Sequence, residues 1–275
     1  MLSWPRSLQF PTQWPWSWPS NLQPTLTLTT LTLTTAIAII LPRAYRNYKI
    51  YMSYGPGGTP YNIVGWFIVA AILTPTGSYD LTSASVYEKK IENGESESYL
   101  SEATLRLLSE KTRERPTVGP HIAPQRQLDE LPEEEVKKLL DDEYFVVAKN
   151  NSHLVRLDNS PVEKHPNAML LAEGVARNEP ARRMHDECAH LHRSRDYSLH
   201  VVLAPADCKK IFDAGWGQRH GWSGLKAPHI WSRGKILALP SEFVFIYAPR
   251  TEEEVALVIG ILKAGLRYMT GQEVR

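Results

Sequence analysis

The sequence predicts an α+β domain, a mixed sheet with packed helices, preceded by an N-terminal transmembrane helix. Three observations carry this. No charge lies between Arg6 and Arg43, and no acidic residue occurs before Asp80. Beyond Asp80, short stretches of period two alternate with stretches of helical period. The stretch Thr251–Met269 joins a capping residue to a complete apolar stripe.

The N-terminal part reads as three segments. Residues 1–23 are a Trp/Pro-rich tail, with Trp4-Pro5, Trp14-Pro15-Trp16 and Trp18-Pro19. Proline removes amide donors there, and tryptophan suits the membrane interface. Residues 24–42 are the anchor. Thr25–Leu41 offers 17 residues without charge, at the short end of what spans a bilayer, and seven of them are threonine. A helical threonine can bond its hydroxyl to a carbonyl one turn back. In lipid the Leu/Thr alternation must be helical, because an isolated strand leaves its backbone unsatisfied. A cleaved signal peptide fits less well, since bulky Leu41-Pro42-Arg43-Ala44-Tyr45 follows the run. Arg43, Arg46 and Lys49 flank its C-terminal end, so the positive-inside rule places the rest of the chain in the cytoplasm, as a single-pass protein of a membrane such as the endoplasmic reticulum. Residues 43–79 are a juxtamembrane segment. Its apolar run Ile63–Leu73 is too short to span, and Gly55-Pro56-Gly57-Gly58 is a turn cluster rather than a phosphate loop.

Residues 80–275 form the α+β domain. Leucines among charges predict a helix over 98–111, and Pro132 opens a second with Leu139 and Leu140 on its stripe. Tyr144–Ala148 and His153–Leu157 read as a hairpin around Asn150-Asn151. Residues 158–168 are loop. Asn178 and Pro180 open a helix with Met184, Cys188 and Leu191 on one face. Tyr197–Leu203 is a strand, 209–214 the centre of a short helix, 221–240 a loop and Phe243–Tyr247 a strand. Thr251 and Glu254 form a capping box ahead of Val255, Val258, Ile259, Leu262 and Leu266.

Composition excludes some functions. The chain has 275 residues and a formal net charge of +1, with no concentrated basic run, so a nucleic-acid partner is not expected. Of its 31 basic residues four precede Asp80, which leaves 27 against 30 acidic ones in the domain. The two cysteines, Cys188 and Cys208, make no Cys-x-x-Cys motif, and a reducing compartment fits them.

Four of the nine histidines fall between Glu187 and His220: His190, His192, His200 and His220. Imidazole titrates near neutrality and binds metals, so a shared pocket for these four would move protons or hold an ion. Separate structural histidines are the plain alternative.

The stretches Glu187 with Ala189-His190 and His192, Gly215-Trp216-Gly217-Gln218-Arg219-His220, Tyr247-Ala248-Pro249-Arg250 with its three glutamates, and Tyr268-Met269-Thr270 resemble the fungal luciferase family, whose luciferase-like domain also occurs in fungal proteins that emit no light. A fainter likeness covers Arg115-Pro116, His121 and Gln125-Arg126-Gln127, and the whole spans most of residues 45–270. The chain departs from the luciferases at Gly221, where they have proline, in an extra stretch around 225–238, and in lacking a further histidine between His192 and His200. All three changes border the expected pocket and bear on its specificity.

The resemblance implies an oxygenase of fungal secondary metabolism. Its luciferases oxidise 3-hydroxyhispidin, a hydroxylated pyrone, with molecular oxygen and no known metal or organic cofactor, through a high-energy peroxide that loses carbon dioxide. Such chemistry needs a base for the enol proton and donors for the enolate and peroxide oxygens. His220 is the first choice as base, on a loop that Gly215 and Gly217 allow, with His190, His192 and His200 beside it and Arg219 stabilising the oxyanion. Trp216 and Tyr247 would stack on the pyrone; Gln218, Arg250, His121 and Arg126 would bind it. Activity would then rise with pH through the histidine range, and chelators would leave it intact. Two rivals stand: a metalloenzyme with His190 and His192 plus His200 or His220 as ligands, and a non-catalytic ligand-binding domain.

Overall fold

The computed structural model describes residues 23–193 and 195–275, with side chains from residue 27. The tail expected over 1–23 therefore lies outside the described residues, save for its last position. Residues up to Lys49 form one unit and Ile50–Arg275 a second.

The described part of the first unit, residues 23–49, is helical. Helix α1 (Gln23–Ser53) continues past the expected end at 42 into the second unit. Its stretch Thr27–Ser53 is long and apolar enough to cross a membrane, a test that a signal sequence also passes. Thr32 and Thr34 donate their hydroxyls to the carbonyls of Leu28 and Thr30, at 2.8 and 2.7 Å, so neither hydroxyl is left unpaired. Pro42 has no amide to give the preceding turn. The Arg43 guanidinium donates to the Ile39 carbonyl at 3.1 Å.

In the second unit, the apolar run folds as a short helix α2 (Ile63–Phe67), a π-helical turn Ile68–Leu73 and a 3₁₀ turn Thr74–Thr76. Val69 is buried with Tyr51 and Tyr54, while Ile63, Val64 and Phe67 are exposed. Gly65 is required, because a Cβ there would stand 1.8 Å from the Pro60 carbonyl oxygen. Helices α3 (Ser85–Glu92) and α4 (Glu102–Glu110) follow. Ser101 caps α4 by accepting from the Thr104 amide at 3.1 Å.

Helix α5 (Glu134–Asn150) overturns the expected hairpin. Tyr144–Ala148 has strand-like composition, but Leu140, Tyr144, Val147 and Ala148 recur at helical spacing and all four are buried on one side. The strand β1 (Val155–Asp158) keeps part of the second expected strand, and β2 (Ala168–Leu171) emerges at the end of the expected loop. Helix α6 (Glu179–Arg183) stops early: His185 and Asp186 adopt positive φ, 51° and 71°, and Cys188 and Leu191 sit on the strand β3 (Glu187–Leu191) rather than on a helix face. The remaining elements are β4 (Leu199–Val202), α7 (Pro205–Asp213), β5 (Gly217–Arg219), α8 (Ala227–Trp231), β6 (Phe243–Ile246) and α9 (Glu252–Thr270). Thr251 caps α9 as expected, but the Glu254 carboxylate reaches back to the Arg250 amide, at 2.6 Å, rather than to its own N-cap.

Among the described residues six strands form one sheet, in the order β1-β2-β3-β4-β6-β5. All their pairings are antiparallel, which corrects the mixed sheet. The strand–helix–strand unit β4-α7-β5 does make two strands that point the same way. Strand β6 inserts between them, antiparallel to each, so no parallel ladder forms. Helix α9 packs on β3 and β4, with α4 and α5 against it. The approach is close: a Cβ on Gly265 would lie 2.5 Å from Val201 and 2.8 Å from the Val202 carbonyl oxygen. The opposite face of the sheet carries the histidines.

Candidate functional site

Strand register assembles the site. His190 pairs with His200, His200 with Phe245, and Phe245 with Gln218, so these four stand in one row across β3, β4, β6 and β5. His192 and His220 lie two residues further along, just past the ends of β3 and β5, on the same face. Ring centroids are 5.1 Å apart for His190–His192, 5.0 Å for both His190–His200 and His192–His200, and 5.7 Å for His200–His220. Phe243 stacks on His200 at 4.7 Å. The four histidines thus share one buried patch, as their sequence clustering predicts.

The loops over this face bring three residues that sequence reasoning passed over as site members. Glu163 sits in the expected loop 158–168. Ser160 holds it in place: its hydroxyl accepts from the amides of Val162 and Glu163, at 3.1 and 3.0 Å, and donates to Glu187 at 2.7 Å. Arg126 grips Glu163 with two bonds, 2.7 and 3.1 Å, and is itself fully buried. His165 stands 3.1 Å from Glu163 and 3.2 Å from Arg126. Asp196 accepts from the Ser198 hydroxyl at 2.7 Å and from the Gln127 amide at 2.6 Å. The available signal was a Glu-x-His pair after Ser160-Pro161, with no period to mark it.

Each ring of the inner trio is oriented through Nδ1. His190 Nδ1 meets the Glu187 carboxylate. His192 Nδ1 meets Ser198 Oγ at 2.8 Å, and His200 Nδ1 the Val244 carbonyl at 3.2 Å. His220 differs. Its Nδ1 accepts from the Trp222 amide at 3.1 Å, so that lone pair is already used. Burial pushes His220 down to about 4 and drives His200 well below the ordinary histidine value, the latter also through its histidine neighbours. Burial opposes the Glu163 charge, but Arg126 and His192 outweigh it and hold the carboxyl well below its usual range.

A cavity of about 280 Å³ opens on this centre. Its lining mixes polar residues, among them Glu163, Lys164 and His220, with apolar ones, among them Leu73, Val162, Trp222 and Leu239. Lys235, Ile236 and Leu237, from the extra stretch around 225–238, also line it. A second cavity, about 420 Å³, holds His121, Gln125 and Gln218. There a Cβ on Gly221 would lie 2.7 Å from the Ile122 side chain, which would have to shift. A groove of about 610 Å³ lies between α4 and α9 on the helix face and has no histidine in its lining.

The other expected site residues divide. Arg126 joins the centre, as a partner of Glu163 rather than an open ligand for substrate. Gln218 stands in the row and accepts from the Tyr247 hydroxyl at 3.1 Å. His121 pairs with the Tyr54 hydroxyl at 2.8 Å, and burial pushes it down to about 4. Arg219 faces away, because it alternates with Gln218 and His220 along β5; it donates to the Asp80 carbonyl. Trp216 is a core residue whose indole donates to the Lys111 carbonyl at 2.6 Å, under the Arg113 guanidinium. Arg250 pairs with Glu254 and Glu130 at the surface. In the structure these three side chains lie away from the histidine centre, each with a partner of its own. Both cysteines are free and buried.

Fold and site define a two-layer α+β domain with a buried histidine–carboxylate centre opening on a cavity of small-molecule size. A family model described as a luciferase domain matches residues 185–265. Over 258 residues the chain is 31% identical to a luciferase of Armillaria mellea, covering 89% of this chain and 88% of that one. It is 32% identical to a luciferase of Armillaria gallica, over 86% and 85% of the two chains, and 31% identical to one of Neonothopanus nambi, over 86% and 84%. The chain belongs to the fungal luciferase family. No solved structure matches it.

Proposed function

We propose that this protein is an oxygenase that acts with molecular oxygen on a hydroxylated pyrone or phenolic metabolite, of which 3-hydroxyhispidin is the example its resemblance implies. The observation that carries the reading is the convergence of His190, His192 and His200 beside a cavity lined by both polar and apolar side chains. Trp222 and Leu239 offer a flat ring apolar contact, and Lys164 offers its oxygens a cationic donor. The enol loses its proton, the resulting enolate gives an electron pair to oxygen, and a carbon–oxygen bond forms; the peroxide so made takes a proton back and breaks down with loss of carbon dioxide. In the simplest form of this reading an imidazole Nε2 of the inner trio accepts the enol proton. His220 is the weaker base, since Trp222 occupies its Nδ1. Burial of the centre keeps water from the peroxide.

The extra stretch that lines the cavity supports a substrate other than the luciferases' own. The proposal includes single-pass attachment through α1 with the second unit in the cytoplasm, supported by Arg43, Arg46 and Lys49. The test is oxygen uptake, carbon dioxide release and light emission by purified full-length protein, over a panel of hydroxylated pyrones and phenols. Substrate-dependent uptake by wild type that His200→Gln loses is expected. A folded wild-type protein that consumes no oxygen with any member of the panel overturns the reading in favour of a non-catalytic ligand-binding domain.

A further inference from the structure

We propose that Glu163, His190, His192 and His200 bind one divalent first-row transition-metal ion. Their ligand atoms all lie within 4.8 Å of one another, and all four residues are buried.

The proton inventory leads there. Carboxylates and carbonyls only accept, so His190 carries its hydrogen on Nδ1, toward Glu187, and His200 carries its own on Nδ1, toward Val244. The Ser198 hydroxyl spends its hydrogen on Asp196, at 2.7 Å, and so accepts from His192 Nδ1 at 2.8 Å. In their neutral forms all three rings therefore turn a bare Nε2 lone pair inward. His190 Nε2 and His192 Nε2 are 3.2 Å apart, a contact of two acceptors with no hydrogen between them. His200 Nε2 is buried with no hydrogen-bond partner at all. Acceptors gathered this way repel unless a cation stands among them. Two nitrogens bound about 2.1 Å from one ion are themselves about 3.0–3.4 Å apart, which matches the spacing. Carboxylate and carbonyl partners on Nδ1 are the support that metal-bound histidines use.

Charge points the same way. Glu163, Glu187 and Asp196 are buried beside one buried guanidinium, that of Arg126. The excess of two negative charges is what one divalent cation balances. Arg126 does not fill the site. Its Nη1 has two hydrogens and three acceptors, Gln125 O at 2.7 Å, His192 Nε2 at 3.0 Å and Glu163 Oε1 at 3.1 Å, so it can release His192 and stay satisfied. Three imidazoles with one carboxylate suit manganese, iron, cobalt or zinc. A bound ion would supply a Lewis acid beside Glu163; in the oxygenase reading above it would stabilise the enolate oxygen, and the enol proton would pass to solvent water, since the three Nε2 atoms would then be ligands. The binding claim itself does not depend on that reading.

The test is metal content of full-length protein purified after growth with manganese, iron, cobalt and zinc salts. About one ion per chain is expected in wild type and in the surface control His153→Gln, with loss in His190→Gln and His200→Gln. Circular dichroism checks that each variant is folded. Should the variants not fold, wild type carries the test: chelation should lower its melting temperature, and one of the four ions should restore it. Folded wild type with a tenth of an ion or less per chain and no thermal response to any of them overturns the proposal. So does equal metal in wild type and folded ligand variants. Metal without oxygen uptake leaves this inference standing and ends the oxygenase reading. Undiminished uptake by metal-free protein does the reverse.

Discussion

The two faces of the sheet use the same strands in opposite ways. Ala189, Leu191, Leu199, Val201 and Val244 alternate with the site residues and are buried in the main core, which α9 closes. One residue over in each strand stand His190, His200 and Phe245, equally buried but beneath loops. Apolar burial stabilises without regard to direction, so the helix face needs only shape and volume. The histidine face must pair every polar atom or hold something that does. Alternation lets one strand serve both, and separates the residues that hold the fold from those that do chemistry.

This contrast can be broken from either side. The largest effect is expected on the helix face. Leu262→Ala should cost about 2–5 kcal/mol of stability, read by chemical denaturation, and leave turnover per folded molecule unchanged. Equal damage to turnover would mean that the faces are coupled. On the other face, His200→Gln should lower turnover by about 10²-fold or more with the fold retained, measured by oxygen uptake on the best substrate of the panel.

Acid should weaken the histidine side. His121 has a folded value of about 4 against an ordinary one of about 6.5, so the unfolded chain takes up a proton that the folded one refuses. Its contribution is whole above about 6.5 and is lost as pH falls toward about 4. The melting temperature should drop over that window, and His121→Gln should flatten the drop. An unchanged slope in the variant would remove His121 from the account. The smallest effect is expected at Arg250→Met. Its partly exposed pairs with Glu254 and Glu130 predict a loss of about 1 kcal/mol or less and an unchanged KM. A raised KM would return Arg250 to the site.

By itself the sequence determined the charge-free apolar N-terminal stretch, the α9 stripe behind Thr251, strands β4 and β6, and the gathering of His190, His192, His200 and His220. Each is a local signal, written in a period or a spacing. The wrong hairpin at Tyr144–Ala148 shows where such signals fail, since strand-like composition gave way to helical spacing once the core claimed one side. Tertiary structure alone decided the antiparallel sheet, because β6 enters between β4 and β5 from far along the chain. It also decided the fourth member of the centre, Glu163, which comes from a loop without period and is set by the Ser160 turn and the Arg126 clamp. Arg219 and Trp216 bear the family's motif, yet strand alternation and core packing turn them elsewhere. Spacing along a chain reports which side chains share a face, whereas convergence of Nε2 atoms from two strands with a loop carboxylate depends on register and loop closure, which no short-range pattern encodes.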